Sequence, residues 1–334
     1  MGSKPVVCLA LPRETYERMF RREDLDRLSE AAEIRGPFDN SERPNLIRAL
    51  SGATVAITGW GSQKFDREML EAADSLRLIA HSAGSVKSIV DEAVYDRGIR
   101  VTTSASANAV PVAQFTVAMM VIMLKQVPWL AEQYRRNAPR SEMDRLNHVR
   151  ELQDIDVGLV GASRIGRLVV QQLKQFSRIR IRMYDPYLSQ SQAAELGVQL
   201  CSLEEVFRCP VVSIHAPKTP QTHHMVNARL LSLLPDHAVL INTSRGSLID
   251  EDALIAEVRK RPIYVALDVT DPEPPAPDSP LRSEPNIILT PHIAGAMKQA
   301  CLEMGQLAID QTLRFLSGKS LQHEVTRAML PTQA

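Results

Sequence analysis

Three polar side chains stand just beyond three short apolar runs in the second half of the chain, and their types suit proton transfer at a carbon–oxygen bond. Ala238–Ile241 runs into Asn242-Thr243-Ser244-Arg245, Ile263–Leu267 into Asp268 and then Glu273, and Ile287–Leu289 into Thr290-Pro291-His292. Oxidising an alcohol by hydride loss requires a base for the hydroxyl proton, and the reverse reaction requires the same group to return it. Histidine, with an unperturbed pKa of about 6.5, serves both directions near neutral pH. A carboxylate on its other ring nitrogen fixes the tautomer and favours the protonated ring. A guanidinium fork can hold a substrate carboxylate and polarise the neighbouring keto oxygen. His292, Glu273 and Arg245 fill these roles without a metal, and Asp268 stands beside them as a tuning carboxylate. Singly, each has a plainer reading as a structural histidine, a loop acid or a solvated arginine. On one edge together, the three side chains point to one chemistry.

The elements that must position them read as strands of one parallel sheet, whose carboxyl ends share an edge. On that edge sits the glycine-punctuated turn of VGLVGASRIG, where the run Ile155–Val160 meets a helical pattern starting at Arg164. Gly161 and Gly166 have the outer spacing of the turn that lays a pyrophosphate on a helix N-terminus. Ser163 replaces the middle glycine, so its Cβ should crowd a cofactor while its hydroxyl could donate to phosphate. A second strand, Ile179–Tyr184, ends in Asp185, 19 residues past Gly166, where an acid accepts hydrogen bonds from an adenosine ribose. A carboxylate there repels a 2′-phosphate, which selects NAD over NADP. The alternating Arg178, Arg180 and Arg182 are the competing feature, since an arginine reaching the ribose would reverse that selection. The run Val211–Ile214 ends at the same edge with His215-Ala216-Pro217.

The first hundred residues alternate apolar runs (Val6–Leu11, Val55–Thr58, Leu78–Ala80, and a weaker Ile99–Thr102) with helical patterns around Arg13–Phe20, Asn45–Leu50, Phe65–Ala73 and Ser88–Tyr95. That alternation predicts a second parallel sheet covered by helices. After one of its strands, Ser82-Ala83-Gly84-Ser85-Val86 is placed to offer backbone N–H groups to an anion, although an ordinary strand-to-helix turn reads the same way. Around Asn108–Lys125 a helix with Pro111 in its first turn carries Val112, Phe115, Met119, Ile122 and Met123, and is expected to lie buried between domains. Glu132–Arg150 is a charged surface excursion, Pro272–Pro280 an extended loop and Leu302–Leu316 a closing amphipathic helix.

With 334 residues, the chain is long enough for two domains. Its 39 basic and 39 acidic residues balance, so no charged footprint points to nucleic acid or to an anionic membrane. The four cysteines form no C-x-x-C pair and read as buried thiols of a reducing cytoplasm. MGSKPVV matches neither a signal peptide nor a myristoylation signal, and the apolar stretch Val117–Leu124 is shorter than a membrane span. His223-His224 lies in a polar loop with no further ligand cluster and reads as solvated.

Taken in order, these motifs resemble the D-isomer-specific 2-hydroxyacid dehydrogenases over most of the chain. The likeness is carried by VGLVGASRIGR, by VVSIHAPKTPQTHHMVNARLLSLLPDHAVLINTSRGSLIDEDAL, by ALDVTDPEP and by LTPHIAG. It implies two Rossmann- or flavodoxin-like doubly wound parallel-sheet domains with the active site in the interdomain cleft. Residues 1–107 plus 296–334 would form a discontinuous substrate-binding domain around an inserted NAD-binding domain, 108–295. Arg245, Glu273 and His292 fall at the family's catalytic positions. The implied cofactor contacts are Thr116, Gly161, Ser163, Arg164, Ile165, Gly166, Asp185, His215, Ala216, Pro217, Thr222, Thr243, Ser244 and Asp268. Ser82, Ala83, Gly84 and Ser85 occupy the place of the loop that binds the substrate carboxylate, with Arg245 and His292. The resemblance further implies an NAD-dependent interconversion of a small D-2-hydroxy acid and its 2-oxo acid, and a cytoplasmic homodimer. Gln114 stands for a common glutamate and Lys218 for an apolar residue. Glu273 argues against the formate dehydrogenase branch, which pairs its histidine with glutamine, and the length leaves no room for the regulatory domain of longer phosphoglycerate dehydrogenases. A second reading stays open: an NAD(H)-sensing binding protein with weak catalysis, like the C-terminal binding protein corepressors, which keep the same residues.

Overall fold

The computed structural model describes residues 4–332, so the leader and myristoylation readings of Met1–Ser3 lie outside the described residues. The chain divides into two compact units, Met1–Asn108 with Ala296–Ala334, and Ala109–Gly295. In the first unit, β1 (Val6–Leu9), β2 (Glu33–Arg35), β3 (Ala53–Thr58), β4 (Leu78–His81) and β5 (Arg100–Thr103) form a sheet in the order β2-β1-β3-β4-β5. All its pairings are parallel. This is a flavodoxin-like strand order. Its strands are apolar on both faces, Val7, Leu9, Val55 and Ile57 packing to one side and Cys8, Ala56, Ile79 and Val101 to the other. That two-sided burial is why they read as continuous apolar runs rather than alternating ones. The closing helix, Lys298–Leu316, returns to this unit and buries Cys301, Met304, Ala308 and Ile309 against it.

The second unit holds β6 (Asp156–Val160), β7 (Arg180–Tyr184), β8 (Gln199–Leu200), β9 (Val211–Ile214), β10 (Val239–Asn242), β11 (Tyr264–Leu267) and β12 (Ile287–Leu289). Their order is β12-β11-β10-β9-β6-β7-β8, again all parallel. From β6 the chain builds outward through β7 and β8, then crosses back to β9 on the other side. The crevice at the carboxyl ends of β6 and β9 is therefore the switch point, where open parallel sheets bind ligands. The register pairs Val160 with Ile214, and Ile214 with Asn242, so the chain leaves β6, β9 and β10 at one level of the edge.

Several sequence expectations are corrected. Pro111 lies inside the helix Ala105–Leu124 rather than in its first turn, because Ala105 and Ser106 extend the helix upstream. That helix has 20 residues and mean hydropathy 1.8, so by length and composition it is long enough to cross a membrane, contrary to the shorter estimate from Val117–Leu124. Ala107, Ala109, Val110, Val112 and Ala113 extend the apolar stretch upstream of Val117. Half of it is buried, with Met120 and Met123 fully enclosed in the core of the second unit. The helix expected from Ser88 begins only at Glu92, where Asp91 caps it by accepting the Ala93 N–H at 3.0 Å. The sequence reading missed the helix Arg22–Ala31 and the short edge strand β2, Glu-Ile-Arg.

Candidate active site

The glycine turn follows from close packing. Gly161 has φ +101°, and a Cβ there would lie 2.8 Å from the His215 carbonyl oxygen, while a Cβ on Gly166 would lie 2.2 Å from the Gly161 oxygen. Neither position tolerates a side chain, so β6 and the helix Arg164–Leu173 meet at a turn tight enough to expose that helix's first N–H groups. Ser163 is the N-cap, its Oγ accepting the Gly166 N–H at 3.3 Å from an extended backbone. The hydroxyl oxygen is thus engaged inside the turn, a role the crowding argument did not anticipate. Arg164 is exposed on the first turn and Ile165 packs against the core.

Asp185, at the end of β7, accepts the Ala162 N–H at 2.7 Å and the Tyr187 N–H at 2.8 Å, which locks the carboxylate onto the glycine turn. The three competing arginines point elsewhere. Arg178 and Arg180 pair with Asp154 at 3.7 and 2.9 Å, and Arg182 with Asp156 at 3.1 Å, all toward the start of β6 and away from Asp185. These are largely solvated pairs of small energetic weight, but they settle where the guanidinium groups lie.

Past β9, the His215 N–H donates to the Val160 carbonyl at 2.7 Å, and burial pushes the imidazole down to about 3. Both ring nitrogens are buried without a hydrogen-bond partner among the described residues. Ala216 is buried, and Thr222 folds the following loop by donating to the Pro217 carbonyl at 2.7 Å. Past β10, Ser244 Oγ donates to the Ile214 carbonyl at 2.8 Å, and the Thr243 and Thr116 hydroxyls lie 3.0 Å apart. Thr116, on the helix Ala105–Leu124, is thereby tied to the same edge.

Arg245 leaves β10 with its carbonyl held by Asn242 Nδ2 at 2.8 Å, and its Nη1 donates to the Ser244 carbonyl at 2.6 Å. Burial pulls its pKa down from the ordinary arginine value, and the Glu273 carboxylate opposes that fall. The next residue, Gly246, is pressed against the Thr270 backbone, where a Cβ would lie 2.0 Å from the carbonyl carbon. This contact clamps the β10 loop to the β11 loop and brings Arg245 and Glu273 into each other's field.

His292 Nδ1 and Glu273 Oε1 are 2.5 Å apart. A carboxylate only accepts, so Nδ1 is the donor of this contact and Nε2 takes no part in it. The two side chains are 47 % and 39 % exposed. Asp268 holds this histidine's loop: buried, it accepts from Thr290 Oγ1 at 2.5 Å and from the Ile293 and Ala294 N–H groups at 2.9 and 2.8 Å. Its own carbonyl accepts the His292 N–H at 3.0 Å, with His292 at φ +52°, a left-handed conformation uncommon for non-glycine residues. Sequence reasoning missed Thr290 and Gly246 as parts of this frame. The adjacency of Thr290 to His292 and of Gly246 to Arg245 was the available signal.

A cavity of about 520 Å³ beside the pair is lined by Asp268, Thr270, Glu273, Arg282, Thr290 and His292, with four further residues. Among the described residues no cluster of three or more histidine, cysteine or acidic side chains could hold a metal ion. His223 and His224 are exposed and stack on each other at 3.9 Å. Cys8, Cys209 and Cys301 are buried thiols, Cys201 is half-buried, and burial raises Cys8 and Cys209 to about 12.

In the first unit, Ser82 is fully buried. Its N–H and its hydroxyl both donate to the Thr58 carbonyl, at 2.7 and 2.8 Å, while Ala83 accepts from Thr103 Oγ1 at 2.9 Å. Ser82 therefore anchors its loop, and Gly84 and Ser85 lie beyond the anchor.

Residues 117–294 match the family model described as D-isomer specific 2-hydroxyacid dehydrogenase, NAD binding domain. The chain is 30 % identical over 295 residues to a D-3-phosphoglycerate dehydrogenase of Methanocaldococcus jannaschii, covering 87 % of this chain and 55 % of that protein. It is also 30 % identical to a glyoxylate reductase of Aeropyrum pernix, over 96 % of this chain and 97 % of that one. The chain spans about half the length of the D-3-phosphoglycerate dehydrogenases it matches, 55, 53 and 51 % of three of them. Among solved structures, it resembles the TT0316 protein of Thermus thermophilus with TM-score 0.77 and 30 % identity, over 96 % of this chain and all of that one. It resembles a phosphoglycerate oxidoreductase of Rhizobium etli with TM-score 0.82 and 25 % identity, over 97 % of this chain and 99 % of that one.

Proposed function

The chain belongs to the D-isomer-specific 2-hydroxyacid dehydrogenases and carries that family's NAD-binding domain, and from this premise we propose that it interconverts a small D-2-hydroxy acid and its 2-oxo acid. The observation that carries the reading is the His292–Glu273 contact at 2.5 Å, on the sheet edge that also bears Arg245 and the glycine turn. The glycine turn, the first helical N–H groups and the Asp185 carboxylate suit a pyrophosphate and an adenosine ribose, since a Cβ at either glycine would strike backbone and force the tight turn open. When bound, NAD(H) supplies or takes up the hydride at substrate C2.

The protein's part is to hold the substrate and to move one proton. Arg245, half-buried and charged, pairs its guanidinium fork with the substrate carboxylate and draws density from the adjacent carbonyl. His292 Nε2 gives its proton to the forming alkoxide in reduction and takes it back in oxidation, while Glu273 holds Nδ1 and steadies the charged ring. Asp268 keeps the histidine loop in register. Ala83, Gly84 and Ser85, with Ser82 as their anchor, are assigned to the substrate carboxylate, and Thr116, Thr243, Ser244, His215, Ala216, Pro217 and Thr222 to the cofactor side of the edge. Assembly as a homodimer and a cytoplasmic location belong to the same proposal. The test is His292→Ala: turnover of the best 2-oxo acid with NADH should fall by about two or more orders of magnitude, as loss of a positioned acid/base does, with NADH binding unchanged. Turnover within a few-fold of the parent would remove the assigned role.

A further inference from the structure

Glu273 can steady His292 only if its own loop is held, and the sequence of that loop removes most means of holding it. In Asp271-Pro272-Glu273-Pro274-Pro275, the three prolines carry no N–H, so the backbone can donate only from Asp271 and Glu273. The Asp271 N–H donates to Glu251 Oε1 at 2.8 Å, a side chain 20 residues away in sequence. We propose that Glu251 is a positioning residue, whose carboxylate oxygen fixes the segment that aims Glu273 at His292; this rests on the role assigned to that pair above.

Glu251 is well placed for the task. It is the first residue of the helix Glu251–Lys260, which is capped by Asp250 accepting the Ala253 N–H at 3.0 Å and is rooted in the core through Leu254, Ile255 and Val258. The acceptor is therefore presented by a rigid element. Other ties flank the aspartate: Gly246 presses on Thr270 before it, the Thr270 hydroxyl donates to the Pro272 carbonyl at 2.8 Å, and Arg282 donates to the Pro275 and Ala276 carbonyls further on, at 2.6 and 2.9 Å; only the Glu251 contact reaches the segment from a separate α-helix. Glu251 is half-buried, and burial pushes its carboxyl up; the hydrogen bond from the Asp271 N–H opposes that rise, the charges of Asp271 and Asp252 add to it, and His224 opposes it. A carboxylate is a costly choice beside two others unless its oxygen is used. An acidic residue at a helix start also complements the helix dipole, and that plainer role would need the charge rather than the acceptor.

Replacing Glu251 separates the two. Glu251→Ala removes the acceptor, and kcat should fall about 10- to 100-fold, the scale of a displacement of about 1 Å in a catalytic group. The NADH dissociation constant and the KM for the 2-oxo acid should stay within a few-fold of the parent. Glu251→Gln keeps an acceptor oxygen without the charge and should restore kcat to near the parent. Glu251→Asp withdraws the oxygen by one methylene and replaces the alanine variant if that fails to fold. Unimpaired kcat in the alanine or aspartate variant, or a glutamine variant as slow as the alanine one, would overturn the proposal. Proton NMR of the His292 Nδ1–H provides a readout that needs no turnover: its downfield hydrogen-bonded resonance should be lost in Glu251→Ala and kept in Glu251→Gln. Should no 2-oxo acid be turned over by the parent, the assigned reaction fails while this resonance still decides the positioning role. Its persistence in the alanine variant would overturn that role.

Discussion

Gly246→Ala tests how the site is assembled, because it touches no group that meets substrate. The new Cβ would lie 2.0 Å from the Thr270 carbonyl carbon and 2.2 Å from its oxygen, and both are backbone atoms that cannot rotate away. Real Cβ contacts essentially never fall below 3.0 Å, so the β10 and β11 loops must part by about 1 Å. One loop carries Arg245 and the other Glu273, so the proposed substrate anchor moves away from the proposed acid/base pair. Overpacking of this kind costs about 1–3 kcal/mol of stability. A displacement of about 1 Å at a reacting group costs about 100-fold in rate, or roughly 2.7 kcal/mol of barrier. The expected outcome is a kcat/KM lowered by about two orders of magnitude with a smaller loss of NADH affinity, because only Thr243 and Ser244 of the cofactor side share the displaced loop while the glycine turn after β6 is built separately. NADH oxidation at 340 nm across a substrate titration, with urea unfolding alongside, supplies both numbers. A variant that turns over like the parent, or one whose whole loss lies in NADH binding, would refute the idea that this glycine contact sets the distance between the two loops.

Asp185→Ala should weaken NADH binding by about 1.5–3 kcal/mol, the worth of hydrogen bonds to a charged group, and narrow the preference for NADH over NADPH; fluorescence titration with both cofactors checks this, and an unchanged ratio would reassign the carboxylate. Ser163→Gly should cost only a few tenths of a kcal/mol, whereas Ser163→Ala should cost about 1 kcal/mol, since glycine is nearly as good an N-cap and alanine is not; thermal unfolding distinguishes them. His81, buried between Thr58 and the turn at Ser85, has its pKa pushed down by burial from 6.5 to about 4, so the unfolded chain binds the extra proton between those values. Stability should therefore be complete above about pH 6.5 and fall as pH drops toward 4, by something on the order of 3 kcal/mol. His215, pushed down to about 3, acts with the same sign in the other unit. Urea midpoints at pH 7 and pH 4.5 measure the effect, and a flat profile would contradict it.

Most of the frame could be read from the chain because parallel strands buried on both faces leave uninterrupted apolar runs, each ending where polar residues begin. Arg245, Asp268 and His292 announced themselves by following such runs. β2 did not, because Glu-Ile-Arg at a sheet edge has neither a run nor an alternation long enough to register. Arg22–Ala31 is mostly charged, and the pair Leu25 and Leu28 is too sparse a stripe to stand out. Pro111 illustrates the limit of local rules, since burial of the surrounding helix overrides the cost of its missing donor. The work of Asp268 was hidden for a different reason. Its partners Thr290, Ile293 and Ala294 lie 22 to 26 residues away, and no spacing rule predicts a side-chain strut across two strands. The same holds for Gly246 against Thr270, which only the three-dimensional approach of two loops makes necessary.

In the proposed reaction, hydride passes at this edge between a nicotinamide cofactor and C2 of a 2-oxo acid while His292 supplies the proton. Deuterium-labelled NADH offered with a panel of small 2-oxo acids, followed by NMR and chiral analysis of the product, tests it most directly. The expected product is a D-2-hydroxy acid carrying the label at C2. Tight NADH binding with no labelled product from any acid in the panel would contradict it and favour a cofactor-sensing protein on the same scaffold.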